Sequence, residues 1–143
     1  MSYNRSPSVS SRTGSRSPAR RLRILIAEDD ADSAASLEML LQNEGHETRC
    51  VYHGRDVVKT ACDFAADAVL LDIGMPGVTG YDVARAFRML YGSAKPVLIA
   101  VTARGASADK VMAKAAGIDH HFAKPYDPHE LLGLLADLAA HAV

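Results

Sequence analysis

Along this chain apolar residues gather in five short runs, Leu22–Ala27, Thr48–Tyr52, Ala68–Leu71, Val97–Val101 and Asp119–Ala123. Between the runs they return every three or four positions. The runs read as β-strands and the intervening stretches as helices. Ala34, Leu37, Leu40 and Leu41 form the first helical stripe, and Gly45 is placed to end it. Val57, Val58, Ala61 and Cys62 repeat the pattern after the second run. Val83, Phe87, Leu90 and Tyr91 follow the third run, ahead of Gly92. Val111, Met112, Ala115 and Ala116 follow the fourth, ahead of Gly117, as a stripe made largely of alanine. Leu131, Leu134, Leu135 and Leu138 close the chain at spacing i, i+3, i+4, i+7.

Strands that alternate with helices imply a parallel sheet covered on both faces, because parallel neighbours need a helical crossover. The expected class is therefore α/β, three-layered, with five strands and five helices. The first, third and fourth runs are continuously apolar, as buried central strands are, whereas Glu47, Thr48 and Arg49 mark the second as an edge. In such a sheet ligands bind beyond the carboxyl ends of the strands. Those ends carry Glu28, Asp29 and Asp30 after the first run, Asp72 after the third, Thr102 after the fourth and Lys124 after the fifth.

Composition narrows the picture. The chain has 143 residues, 48% of them hydrophobic, enough for one domain with a real core. Its net charge of -1 hides an asymmetry, since residues 1–21 hold seven Ser, five Arg and no acid. Without those five arginines, 11 of the 16 basic residues face all 17 acids, a net of -6 for residues 22–143. Residues 1–21 read as a disordered tail, too poor in large aliphatics to offset its ordering entropy, and 22–143 as the folded domain. No apolar stretch approaches the length of a membrane span. Cys50 and Cys62 lie far apart without a C-x-x-C, which fits two small buried thiols in a reducing cytoplasm better than a disulfide framework. His120 and His121 are neighbours on a strand and face opposite ways, so they make a poor metal pair. Neither GxGxxG nor GxxxxGK[ST] is present, which disfavours dinucleotide and P-loop binding.

Taken singly, Asp29 or Asp30 reads as a helix cap and Asp72 as a turn residue. Taken jointly, carboxylates at adjacent strand ends repel one another unless a cation joins them. Hard oxygen donors of this kind suit Mg²⁺. A divalent ion beside an Asp, flanked by a hydroxyl and an ammonium, describes a phosphoryl site in which a carboxylate can serve as nucleophile. Asp72, at a central strand end, is the better candidate for that role.

The segments ILIAEDD, VLLDIGMPGVTG, VTA and HFAKPYD, in this order and spacing, resemble the receiver domain of two-component response regulators, the CheY-like superfamily, over about residues 22–140. The resemblance implies strand order 2-1-3-4-5. It implies that Asp72 accepts a phosphoryl group from a histidine kinase or a histidine phosphotransfer protein. Asp29 would bind Mg²⁺ directly, Glu28 mainly through water, and Asp72 and the Gly74 carbonyl would complete the protein ligands. Thr102 and Lys124 would grip the phosphoryl group, with a cis Lys124-Pro125 peptide. Gly74 and Arg104 stand at positions that tune dephosphorylation. His121 replaces the usual Tyr or Phe of the switch, which puts that switch in doubt.

The expected function is a single-domain, cytoplasmic receiver or phosphorelay module, without a DNA-binding domain because only a few residues follow the last stripe. It would perform no chemistry beyond its own phosphorylation and dephosphorylation. Downstream proteins, or a second copy in a homodimer, would meet the face formed by the fourth helix, fifth strand and fifth helix. One rival is a receiver-shaped scaffold independent of phosphorylation, which the full set of Glu28, Asp29, Asp72, Thr102 and Lys124 opposes. A flavin carrier is a second, and there the acids after the first strand would repel a phosphate.

Overall fold

The computed structural model describes residues 21–75, 78–92, 95–102 and 110–141; the rest of the expected tail, Arg104 and the last two residues lie outside that set. Five strands, β1 (Arg23–Ala27), β2 (Glu47–Val51), β3 (Ala68–Asp72), β4 (Val97–Thr102) and β5 (His120–Ala123), alternate with five helices. The helices are α1 (Ala31–Asn43), α2 (Val57–Phe64), α3 (Gly80–Tyr91), α4 (Lys110–Ala116) and α5 (Pro128–His141). The strands pair in parallel in the order β2-β1-β3-β4-β5, so β2 is an edge as its polar residues imply.

Alternation along the strands divides the core in two. Leu25, Val69, Leu71, Leu98 and Ala100 face α2, α3 and α4, where Phe87 and Val57 close over them. Ile24, Ile26, Leu70 and Ile99 face α1 and α5, packed on Leu41, Leu131 and Leu135. Burying each of these large side chains contributes roughly 1.5–3 kcal/mol, so both faces must be covered for the sheet to hold.

Three helices bury residues other than those expected. In α3 the buried set is Gly80, Val83, Ala84 and Phe87, while Leu90 and Tyr91 are 63% and 45% exposed. By the level of Arg88 the helix has reached the carbonyls of Pro96 and Gly117, which precede β4 and β5. Its last turn lies toward the starts of these strands, where Tyr91 packs only against Phe87, with ring centroids 6.4 Å apart, among the described aromatic pairs. In α4, Ala113 and Ala116 face the core with Ile118, and Val111 is 80% exposed. Alanine lets the helix lie close to its neighbours, and the larger residues are left outside. Likewise α2 buries Val57, Ala61 and Phe64 and leaves Cys62 exposed. Gly45, Gly92 and Gly117 follow their helices with positive φ as their placement implies. At Gly117 a Cβ would also lie 2.4 Å from Arg88 Cγ, so the site tolerates no side chain.

Candidate functional site

Four strand ends deliver the polar groups. Just past β1, Glu28 extends the ladder through its amide, which donates to the Val51 carbonyl at 3.0 Å, and its side chain is nearly buried. Its Oε2 accepts from the Asp30 amide at 3.0 Å. Asp30 is the helix cap: its carboxylate accepts from the Ser33 amide at 3.2 Å and the Ser33 hydroxyl at 2.6 Å. Those two bonds hold the Asp30 carboxyl below the usual range. The acidic run is thus divided, with Asp30 starting α1 while Glu28 and Asp29 belong to the site.

Asp72 closes β3, and its Oδ1 accepts from the Gly74 amide at 3.0 Å. Glu28, Asp29 and Asp72 each bring a carboxylate oxygen within 4.8 Å of the others. Lys124 follows β5, its amide donating to the Thr102 carbonyl at 2.7 Å and its peptide to Pro125 cis. Its Nζ donates to Glu28 Oε1 at 3.2 Å and lies 4.0 Å from Asp72 Oδ2. Among the described residues, three carboxylates therefore face one ammonium. Burial, and then the neighbouring Asp72 charge, push the Glu28 carboxyl up against the pull of the Asp30 amide and Lys124. Burial draws Lys124 down, but Glu28 and Asp72 outweigh it, and the ammonium is held above its ordinary value.

This arrangement fits a hard divalent cation. Its donors are oxygens only, they converge, and their mutual repulsion is relieved by added positive charge. Glu28, Asp29 and Asp72 would supply the carboxylates and Gly74 a carbonyl. Gly74 is exposed, and a Cβ there would lie 3.6 Å from Asp72 Oδ1, an ordinary van der Waals contact.

Thr102 and His121 form a second pair. Thr102 is 1% exposed and shares the sheet face of Leu98 and Ala100. Its hydroxyl lies 3.4 Å from His121 Nε2, on the side of α3 and α4, whereas Asp72 shares the face of Leu70, toward α1 and α5. The structure joins Glu28, Asp29, Asp72 and Lys124 directly and keeps Thr102 at the adjoining strand end, turned to His121. Arg104 lies outside the described residues. Among the described residues no cluster of metal-ligating side chains includes His120 or His121. Sequence reasoning assigned no role to Tyr126, which lines a cleft with Glu28, Asp72 and Lys124; its only sequence signal was its place in HFAKPYD.

Comparison with known proteins places this geometry. Residues 24–136 match the family model described as the response regulator receiver domain. The DNA-binding response regulator MtrA of Mycobacterium tuberculosis is 35% identical over 112 residues, which cover 78% of this chain and 48% of that protein. MtrA of Mycobacterium leprae matches to the same extent, so the chain spans about half the length of these curated relatives. A response regulator structure from Chloroflexus aurantiacus superposes with a TM-score of 0.76 at 27% identity, covering 85% of this chain and 100% of that one. The chemotaxis protein CheY4 of Vibrio cholerae superposes with a TM-score of 0.74 at 25% identity, covering 82% and 98%. The Saccharomyces cerevisiae Ssk1 receiver domain, crystallised with the histidine phosphotransfer protein Ypd1, shares the fold at 20% identity and a TM-score of 0.76, with 86% and 92% covered.

Proposed function

This chain belongs to the response regulator receiver family, and we propose that it is a magnesium-dependent phosphoacceptor whose Asp72 takes a phosphoryl group from a histidine kinase or histidine phosphotransfer protein. One observation carries this reading: the carboxylates of Glu28, Asp29 and Asp72 converge within 4.8 Å, with Lys124 Nζ 3.2 Å from Glu28 and 4.0 Å from Asp72.

An Asp72 oxygen attacks phosphorus and the donor leaves, giving an acyl phosphate. The Gly74 amide at 3.0 Å and Lys124 fix the orientation of the carboxylate. Lys124, already drawn toward two acids, turns its charge to the incoming phosphoryl oxygens. A bound Mg²⁺ would add positive charge against those oxygens. Glu28, Asp29 and Asp72 would hold that ion, with the Gly74 carbonyl beside them. Thr102 exchanges its His121 partner for a phosphoryl oxygen, and His121 takes the part of the family's aromatic switch residue. The chain thus acts on itself and turns over no separate substrate. It signals from the cytoplasm by protein contacts through the face of α4, β5 and α5; among the described residues no helix is long and apolar enough to cross a membrane.

Incubation with acetyl phosphate and Mg²⁺, followed by intact-mass measurement, tests the reading. One phosphoryl group should add, and Asp72→Asn should abolish the gain. A fully modified Asp72→Asn variant, or equal modification without a divalent cation, overturns it.

A further inference from the structure

Thr102 is buried, and its hydroxyl meets His121 Nε2 at 3.4 Å. A hydroxyl carries one proton and two lone pairs. It can give that proton to His121 or to a phosphoryl oxygen, never to both, while its lone pairs stay open to a donor. On its outer side the half-buried His121 ring lines a cleft of about 740 Å³ between α4 and the end of α3, so protons reach it from solvent. Among the described residues the charged and titratable groups lining this cleft with it are Arg88 of α3, Lys114 of α4, and Asp119 and His120 of β5; β4 supplies none. Asp119 is bound to Arg88 at 2.7 Å, which leaves the exposed Lys114 in excess. In the free domain these surroundings oppose a charge on His121. A phosphoryl group at Asp72 reverses the balance, because it brings negative charge to the adjoining strand end and draws the Thr102 proton away from Nε2.

We infer that phosphorylation of this chain is coupled to the uptake of one proton by His121, so that acid favours the phosphorylated state and alkali the free one. The inference rests on Asp72 being the phosphoacceptor. In the free domain Thr102 donates to Nε2, and the neutral ring carries its own proton on Nδ1. When Thr102 turns to a phosphoryl oxygen, Nε2 loses its donor and takes a proton from water. The imidazolium then donates through Nε2 to a lone pair of the same hydroxyl, which sets its charge one hydroxyl away from the anion. Loss of the phosphoryl group returns the Thr102 proton to Nε2 and the extra proton to solvent. A Phe or Tyr at this position closes no such relay, since neither ring changes charge between about pH 5 and 8.

The probe is beryllofluoride with Mg²⁺, a mimic of the bound phosphoryl group, and the full chain is compared with His121→Phe. Because the bound state holds the His121 proton more tightly, affinity rises as pH falls through the bound ring's value and levels off below the free ring's. The pH responses of Glu28, of Lys124 and of the probe itself are common to both proteins, so the ratio of the two affinities isolates His121. That ratio should rise about fivefold in favour of the wild type from pH 8 to pH 6. Calorimetry in buffers of differing ionisation enthalpy should record more proton uptake by the wild type than by His121→Phe. By NMR the His121 ring should titrate at higher pH once the probe is bound. His121→Gln, which donates to Thr102 without titrating, should behave as His121→Phe does, and it serves in its place if that variant fails to fold. A ratio independent of pH, equal proton uptake by the two proteins, or a ring that titrates at the same pH in both states overturns the inference. A wild type that binds no beryllofluoride at any pH, or an Asp72→Asn variant that binds it equally well, overturns the phosphoacceptor reading instead and takes this inference with it.

Discussion

At the carboxyl ends of the strands three carboxylates face one ammonium among the described residues, and Glu28 is pushed up by burial and by its acidic neighbour. At the amino ends the acids have been given partners. Asp119 accepts from Arg88 Nη2 at 2.7 Å and from the Leu98 amide at 2.8 Å. Asp67 accepts from Lys95 at 3.3 Å and the Arg23 amide at 2.8 Å, and Glu47 meets Arg23 at 3.1 Å. Arg88 also donates to the carbonyls of Gly92, Pro96 and Gly117, so one guanidinium ties the end of α3 to the starts of β4 and β5 and the end of α4. The amino-end charges hold elements together, whereas the carboxyl-end charges are left unbalanced toward a ligand. The repulsion among these carboxylates in the free domain is what a divalent ion would relieve.

The sharpest test of that contrast is Arg88→Ala. It removes four donors from a side chain that is 15% exposed and strips Asp119 of its cation. A loss of about 2–3 kcal/mol in urea unfolding is expected. Arg85→Ala, which breaks an exposed i,i+3 pair with Asp82, should cost no more than about 0.5 kcal/mol. Equal losses in the two variants would mean that the amino-end network is only solvated surface charge.

The same contrast explains what was legible in the sequence. The carboxyl-end groups directly follow apolar strand runs, so Glu28, Asp29, Asp72, Thr102 and Lys124 were found from position alone, and their shared end followed from parallel pairing. Strand order came with the family resemblance, because periodicity does not say which strands are neighbours. Arg88 and Asp119 stand 31 residues apart, and an Arg on an amphipathic helix reads as solvated until the fold brings its acceptors together. The end of α2 left no signal either: Ala65 adopts φ 57 without being a glycine. The faces of α3 and α4 were misplaced because periodicity reports angle around a helix but not where the sheet beneath it stops, nor whether alanine or a larger neighbour packs inward.

At the carboxyl end the comparison is sharpened by Glu28→Gln. With chelator present, the variant should melt a few degrees higher than the wild type, since it removes a buried charge that Asp72 repels. Adding Mg²⁺ should reverse the order, because the wild type gains a ligand carboxylate's worth of binding that the amide supplies poorly. Calorimetry with and without the ion reads both. A variant less stable than the wild type in chelator would show that the Lys124 pairing, and not the repulsion, dominates at this end.

The smallest effect expected is the pH response of the amino end, carried by His46. Its Nδ1 accepts from the Leu22 amide at 3.2 Å, just where the chain enters β1. Burial pulls the imidazole below its usual value, with Glu44 opposing, and Arg21 and Glu47 line the same shallow hollow. A lowered folded-state value means that the neutral ring contributes stability that is whole above the unfolded value of about 6.5 and is lost as pH falls through the folded one. Protonating Nδ1 also removes the acceptor of the Leu22 amide. Between pH 7.5 and 5 the wild type should therefore lose melting temperature more steeply than His46→Gln, whose side-chain oxygen accepts without titrating. Comparing the slopes of the two proteins in chelator keeps Glu28 and its neighbours common to both. Parallel slopes would remove His46 from the ties that hold β1 and β2 at this end.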